Sequence, residues 1–198
     1  MKKFIPFLLA VVLMLSLPAC SCAKQTDSTP TATTAPTTAP TATEATKPAA
    51  SGSLSGTMEE NINKIIEENP VEFMGAVIPI DLEDTTEDGL LALTGYTGLT
   101  SGTKLKEGAV YEPMMGSQAF SLVLVRVADA ADAASVAREM KANIDPRKWI
   151  CVEADQIMAA GYADVVMFIM LDSQLGQTAQ SFVDAFEKVC GNKLDFTL

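Results

Sequence analysis

The segment Asp145-Pro146-Arg147-Lys148-Trp149 groups the residue types best suited to bind a ligand. It places two cations beside the sole tryptophan of a chain that has 25 acidic and 14 basic residues. Arg147 and Lys148 could clamp an anion or a carboxylate next to the aromatic ring. The alternative is structural: Pro146 ends a helix, the cations interact with the helix dipole, and Trp149 anchors the connection to a sheet. We favour the structural reading, and we name Arg147, Lys148 and Trp149 as candidate ligand- or partner-binding residues.

The residue content excludes several kinds of catalysis. The chain has no histidine, which removes histidine-based nucleophilic machinery, histidine-ligated zinc and imidazole acid–base chemistry. Glu112 and Asp164 would form a paired-carboxylate site only if two hairpins bring them together, as hydrolysis of cell-wall polymers would require. No glycine-rich phosphate loop follows a strand, so nucleotide binding has no support. We predict no catalytic residues, no metal and no cofactor.

Three further groups of residues have both a functional and a structural reading. An acidic cluster does not match the spacing of a calcium loop, and acids at the start of a helix explain it equally well; its members are Asp81, Glu83, Asp84, Glu87 and Asp88. Met114 and Met115 either line an adaptable binding surface or fill gaps in the core. Cys151 and Cys190 form either a disulfide or two buried free thiols.

The remaining pattern predicts an α+β domain over residues 57–198. A helix is expected over 57–69, with Thr57 and Glu60 at the spacing of a capping box. A shorter helix within 83–96, capped by Thr85, is less regular because Gly89 interrupts it.

Two hairpins follow, and each of them leads into an amphipathic helix. The predicted strands are 109–114 and 119–127, then 155–160 and 163–171, with turns at 115–118 and 161–162. Asp129 caps the first helix, and Asp172 or Ser173 caps the second, which ends at Gly191. We expect a largely antiparallel sheet of about four strands, packed with two long helices and one or two shorter ones. The repeated order also suggests a duplicated ββα unit as a hypothesis.

The N-terminal residues predict export and a lipid anchor. Lys2 and Lys3 precede an apolar run over 4–17, too short to span a bilayer and typical of a signal peptide over 1–19. Leu17-Pro18-Ala19-Cys20 resembles a lipobox, so Cys20 is the predicted lipidation site. In the alternative, an ordinary signal peptidase cuts near Ala23 and releases a soluble protein. Residues 20–56 are otherwise rich in Thr, Pro and Ala, a composition that predicts a disordered linker.

The chain resembles a family of small lipoproteins from clostridia-like Gram-positive bacteria, defined by a domain of unknown function. The resemblance is carried by the lipobox, the Thr/Pro/Ala stalk, the strand pair PMMGSQAFSLVLVRV and above all IDPRKWICVEAD. It implies a surface-attached extracytoplasmic protein of a single-membrane cell. It implies no activity and no site residues.

These observations favour a non-enzymatic module, tethered to the extracytoplasmic face of the cell membrane by the lipid on Cys20. Its expected partner is an envelope protein or a small ligand. Nucleic acid is not expected, because the formal net charge is −11. The alternatives are a carboxylate-dependent hydrolase acting on cell-wall polymers and a self-associating structural envelope protein.

Overall fold

The computed structural model describes residues 53–86, 88–99 and 101–198. The predicted signal peptide, the predicted lipidation site Cys20 and most of the predicted linker lie outside the described residues. The described chain contains four helices and six strands: α1 (Met58–Glu68), β1 (Gly75–Pro79), α2 (Leu90–Thr94), β2 (Leu105–Pro113), β3 (Phe120–Val127), α3 (Ala133–Asn143), β4 (Gln156–Tyr162), β5 (Val165–Leu171), α4 (Ala179–Cys190) and β6 (Phe196–Thr197). No described helix is both long enough and apolar enough to cross a bilayer.

All six strands form one antiparallel sheet in the order β1-β2-β3-β5-β4-β6. The prediction of an α+β fold on an antiparallel sheet is confirmed. The count of about four strands was too low, because β1 and the two-residue β6 are short edge strands with little periodic pattern. The count of two long helices was also too low, since α1 has 11 residues, as many as α3.

The central strands β3 and β5 are covered on both faces, as their continuous apolar sequences predict. Alternate residues point to opposite faces, so each strand contributes to two cores. One core packs under α1 and α4 and includes Leu122, Leu124, Met167 and Ile169. The other packs under α3 and α2 and includes Val123, Val125, Val166 and Phe168.

Helices α3 and α4 therefore lie on opposite faces of the sheet. Helix α3 packs on β4 and β5, which belong to the other hairpin, whereas α4 packs on the strands that precede it. A repeated ββα unit would place both helices in the same relation to their own hairpins. The order of elements repeats but their packing does not, so the structure does not support the duplication hypothesis.

Several predicted helix starts are confirmed in detail. Thr57 and Glu60 form the reciprocal capping box of α1, and Gly191 ends α4 in a left-handed conformation. Asp129 and Asp172 each cap a single 3₁₀ turn, at Ala130–Asp132 and Ser173–Leu175, rather than the helix itself.

The helix after the second hairpin therefore begins later than predicted. Helix α4 starts at Ala179 and is capped by Thr178. The short helix α2 follows Gly89, and Thr85 does not cap it.

The second hairpin turns two residues later than predicted. Its turn consists of Ala163 and Asp164, and Ala163 has a φ of +52°. The N–H of Ala163 donates to Asp195 Oδ2 at 2.7 Å, which stabilises this unusual conformation. Gly161 stays within β4 instead, because the ring of Phe196 packs where a Cβ would stand.

A buried carboxylate orders the loop between α2 and β2. Glu139 of α3 is 3% exposed and accepts hydrogen bonds from Thr97 N at 3.0 Å and Ser101 N at 2.9 Å, and also from the Thr97 hydroxyl. Burial alone would raise the pKa of Glu139, but these donors hold it at about 2. The loop is thus tied to α3 by an ionised side chain.

Candidate functional site

The candidate residues lie in the connection between α3 and β4, residues 144–155. Ile144 leaves the helix in an extended conformation. The Asp145 carboxylate accepts the N–H of Arg147 at 2.9 Å, and the N–H of Ala154 donates to the carbonyl of Pro146 at 2.9 Å. The segment therefore follows the end of α3 and forms a closed loop.

Lys148 turns inward and pairs with the sheet. Its ammonium is 2.5 Å from Glu112 Oε1 and donates to the hydroxyl of Ser121 at 3.3 Å. The Lys148 side chain is 14% exposed and that of Glu112 is 23% exposed. Burial lowers the pKa of Lys148, and the Glu112 carboxylate opposes this effect. This ion pair ties the connection to the end of β2.

Trp149 and Arg147 remain on the outside of this ion pair. The Lys148 ammonium lies 5.3 Å from the centroid of the Trp149 ring, within cation–π range. Trp149 is half-buried against the core beneath α3. Arg147 is 75% exposed, and its contact with Glu153 is 4.0 Å long. The two cations therefore do not form a joint clamp: Lys148 positions the loop, and Arg147 faces solvent.

Two open cavities flank the Trp149 ring. One has a volume of about 200 Å³ and is lined by Asp88, Ala92, Leu93, Glu112, Lys148 and Trp149. The other has a volume of about 420 Å³ and is lined by Arg147, Trp149, Cys151, Val152 and Glu153. Both combine an aromatic ring with exposed carboxylates.

Large apolar side chains gather at the same end of the sheet. Met74, Met114, Met115 and Ile150 are 77%, 68%, 67% and 78% exposed, respectively. The N–H of Met114 donates to the carbonyl of Met74 at 3.0 Å, and Ile150 follows Trp149. Met114 directly follows β2, two residues after Glu112, so Met114 and Met74 lie at the strand end where Lys148 pairs with Glu112. We call Met74, Met114, Met115, Trp149 and Ile150 the Trp149 surface.

The opposite end of the sheet fixes the start of the described chain. Arg126 of β3 pairs with Asp164 at 3.0 Å and with Glu107 at 3.4 Å. Its guanidinium also donates to the carbonyl of Leu54 at 2.9 Å and to that of Gly56 at 3.1 Å. We call this group the Arg126 junction.

The junction changes the predicted domain boundary. Leu54 is 7% exposed and belongs to the core beneath α1, so the folded part begins before Thr57. Ser121, which Lys148 contacts, is five residues from Arg126 along β3, or about 17 Å in an extended strand. The first described residues therefore lie at the end of the sheet opposite the Trp149 surface.

The proposed pair of carboxylates is not formed. Glu112 lies at the end of β2 beside Lys148, whereas Asp164 lies in the β4–β5 turn beside Arg126. The antiparallel register places these two positions at opposite ends of the sheet. Two acids so far apart cannot share the two sides of one glycosidic bond.

Two members of the acidic cluster accept hydrogen bonds from nearby backbone N–H groups. Asp81 and Asp84 accept backbone N–H groups of Glu83 and Thr86, and the Thr86 hydrogen bonds lower the pKa of Asp84. Among the described residues, no three acidic or cysteine side chains are gathered to hold a metal ion.

The two cysteines do not form a disulfide. Cys190 is buried, and burial raises its pKa to about 12. Cys151 is exposed rather than buried, because it lies in the connection with a φ of +63°.

Sequence reasoning missed Met74, Ile150 and Arg126 as informative residues. A lone arginine in the apolar run of β3 was an available signal for a buried ion pair. Met114 and Met115 were identified with two readings, and their exposure contradicts the core-filling one.

Comparisons with protein-family models, with curated proteins and with solved structures found no match.

Replacing Lys148 with methionine is expected to loosen the connection over 144–155. The Glu112 carboxylate would lose its cation in a half-buried site, at a cost of about 1–3 kcal/mol in the free energy of unfolding. Trp149 emission should shift to longer wavelength as the ring becomes more exposed. The matched control is Arg147→Met, which removes an exposed cation and should change neither quantity. Equal effects of the two substitutions on fluorescence and urea unfolding would contradict the positioning role of Lys148.

Proposed function

We propose that this chain is a membrane-tethered extracytoplasmic binding module that docks a partner protein through the Trp149 surface. The main support is the exposure of Met74, Met114, Met115 and Ile150, each more than 65% exposed, at one end of the sheet. Exposed apolar groups gathered at one place are typical of interaction sites. Methionine side chains also adapt to differently shaped partners.

The position of the Arg126 junction supports display of this surface. A tether that enters at the opposite end of the sheet leaves the Trp149 surface unobstructed. The lipobox-like Cys20 and the Thr/Pro/Ala stalk supply the sequence argument for such a tether.

A hydrolase has less support than a binding module. The two carboxylates suggested for it each pair with a cation, Glu112 with Lys148 and Asp164 with Arg126.

The tether is tested with the native chain and a Cys20→Ser variant. We expect the native chain to fractionate with membranes and to carry a diacylglycerol thioether on Cys20, detected by mass spectrometry. The variant should be recovered from the culture medium, because one lost thioether removes the acyl chains that hold it. An unmodified N-terminus together with native chain found entirely in the medium would refute the anchor.

The docking surface is tested by photo-crosslinking in intact cells. A photoreactive amino acid at position 115 should give a discrete adduct with another protein. The matched control is position 99, since Leu99 is 88% exposed but lies in the loop between α2 and β2, outside the Trp149 surface. Equal adducts from both positions would contradict the proposed surface. An adduct of twice the mass of the chain would instead support the self-associating alternative.

A further inference from the structure

The carboxylates around the Trp149 surface indicate what kind of partner it fits. We propose that the partner presents an apolar polypeptide segment flanked by basic side chains. This inference rests on the proposed function, and it adds the chemical class of the partner.

Exposed acids either line the cavities beside Trp149 or lie close to the apolar residues along the chain. Glu72 is two residues from Met74, and Asp145 begins the connection that carries Trp149. Asp88 lines the smaller cavity beside the Trp149 ring, and Glu153 lines the larger one. These four carboxylates are exposed, so a docked partner would meet them at the rim of the contact.

The cations of the connection offset at most one of these four carboxylates. Lys148 is neutralised by Glu112 at 2.5 Å and is turned toward the sheet. Arg147 is already 4.0 Å from Glu153. The rim therefore remains acidic, in agreement with the formal net charge of −11 for the whole chain. A partner with acidic flanks would be repelled, whereas lysine or arginine flanks would be attracted.

The shape of the surface favours a polypeptide over a small molecule. Small ligands are usually bound in enclosed pockets that bury most of their surface. Here both cavities are open, and the apolar groups stand on the outside of the strand ends and the connection. An apolar segment laid across them would contact several methionines at once. Anionic lipid headgroups would meet the same repulsion as an acidic protein.

The sole tryptophan makes the test direct, because its fluorescence reports on this surface alone. Two synthetic amphipathic peptides without tryptophan serve as probes: they share the same leucine positions, and one carries lysines where the other carries glutamates. Titrated into the full chain, the lysine peptide should give a saturable change in Trp149 emission. Its binding should be about tenfold weaker in 0.5 M salt than in ordinary buffer. The glutamate peptide should give no such change in emission.

Two substitutions place the binding on the surface. Met115→Ser should weaken binding of the lysine peptide at least about fivefold, since a methionine buried in such a contact contributes roughly 1 kcal/mol or more. Leu99→Ser, which removes an apolar side chain that is 88% exposed elsewhere in the domain, should leave it unchanged. A double variant Asp88→Asn with Glu153→Gln should weaken binding and reduce its salt dependence.

Each other outcome overturns a stated part of the proposal. Equal binding of both peptides would refute the basic class of partner and leave the surface in place. If the lysine peptide binds the Met115→Ser variant as tightly as the native chain and leaves Trp149 emission unchanged, the binding is nonspecific attraction to an acidic chain. That result would refute the site. If neither peptide binds but photo-crosslinking at position 115 gives a specific adduct, the proposal of a basic partner is refuted and the proposed function is not. If photo-crosslinking at position 115 gives no specific adduct, the proposed function itself is refuted.

Discussion

Replacing Phe120 with alanine is expected to lower the free energy of unfolding by about 4 kcal/mol. Phe120 is 1% exposed at the start of β3. Its ring packs edge-on against Phe73 and Phe182 with centroids 5.1 Å away in each case, and against Tyr111 at 5.9 Å. Truncation removes all three aromatic contacts and leaves a cavity between α4 and the sheet. Urea unfolding followed by circular dichroism would measure the loss.

The control for Phe120→Ala is Ile150→Ala. Ile150 is also a large apolar residue, but it is 78% exposed. Its truncation should change the free energy of unfolding by no more than about 0.5 kcal/mol. If Phe120→Ala costs less than about 1.5 kcal/mol, Phe120 is not packed as described here.

Replacing Arg126 with leucine is expected to cost about 3 kcal/mol, because it removes one partner from two ion pairs in a half-buried site. The Arg126 side chain is 15% exposed, and Asp164 and Glu107 are 21% and 31% exposed. The carbonyls of Leu54 and Gly56 would also lose their donor. Leucine retains the apolar part of the side chain, so the loss reports mainly on the charge and the hydrogen bonds.

The Arg126→Leu substitution should have a local effect as well. Residues 53–57 should exchange their amide hydrogens faster, and the N–H of Met58, which donates to Glu107 at 2.7 Å, should lose protection. Arg138→Leu is the matched control, since Arg138 is exposed on α3 and should cost about 0.5 kcal/mol or less. Unchanged exchange at residues 53–58 in Arg126→Leu would show that the junction does not fix the start of the domain.

Sequence reasoning recovered the main elements because their signals are local. The capping box of Thr57 and Glu60, the apolar runs of β3 and β5, and Gly191 after α4 each act within a few residues. Such signals depend on backbone hydrogen bonding and on periodic burial. They depend only on residues close together in the sequence, so they can be recognised without knowing the tertiary structure.

The errors arose where a distant residue decides the local structure. The turn at Ala163 depends on Asp195, 32 positions away, and Gly161 stays in a strand because Phe196 packs against it. Strand β1 has only five residues and is ordered by pairing with β2. No pattern within 75–79 or 161–164 carries this information.

The candidate site also combines features that the sequence predicts with features that only distant contacts decide. The sequence identified Arg147, Lys148 and Trp149 as a distinctive group, but it could not assign them different roles. Lys148 is turned inward by Glu112, 36 positions away, while Arg147 has no comparable acid within the sheet and remains exposed. The partner of a charged side chain depends on which strand ends meet.

By itself, the amino-acid sequence determined that the chain contains no histidine, that it is acidic, and that it forms an α+β domain with capped helices. Those properties depend on composition and on neighbouring residues. Only the tertiary structure decided that Glu112 and Asp164 are separated, that Met114 and Met115 are exposed, and that the first described residues lie opposite the Trp149 surface. These relations depend on strand order and register, which are set by long-range packing of the two cores.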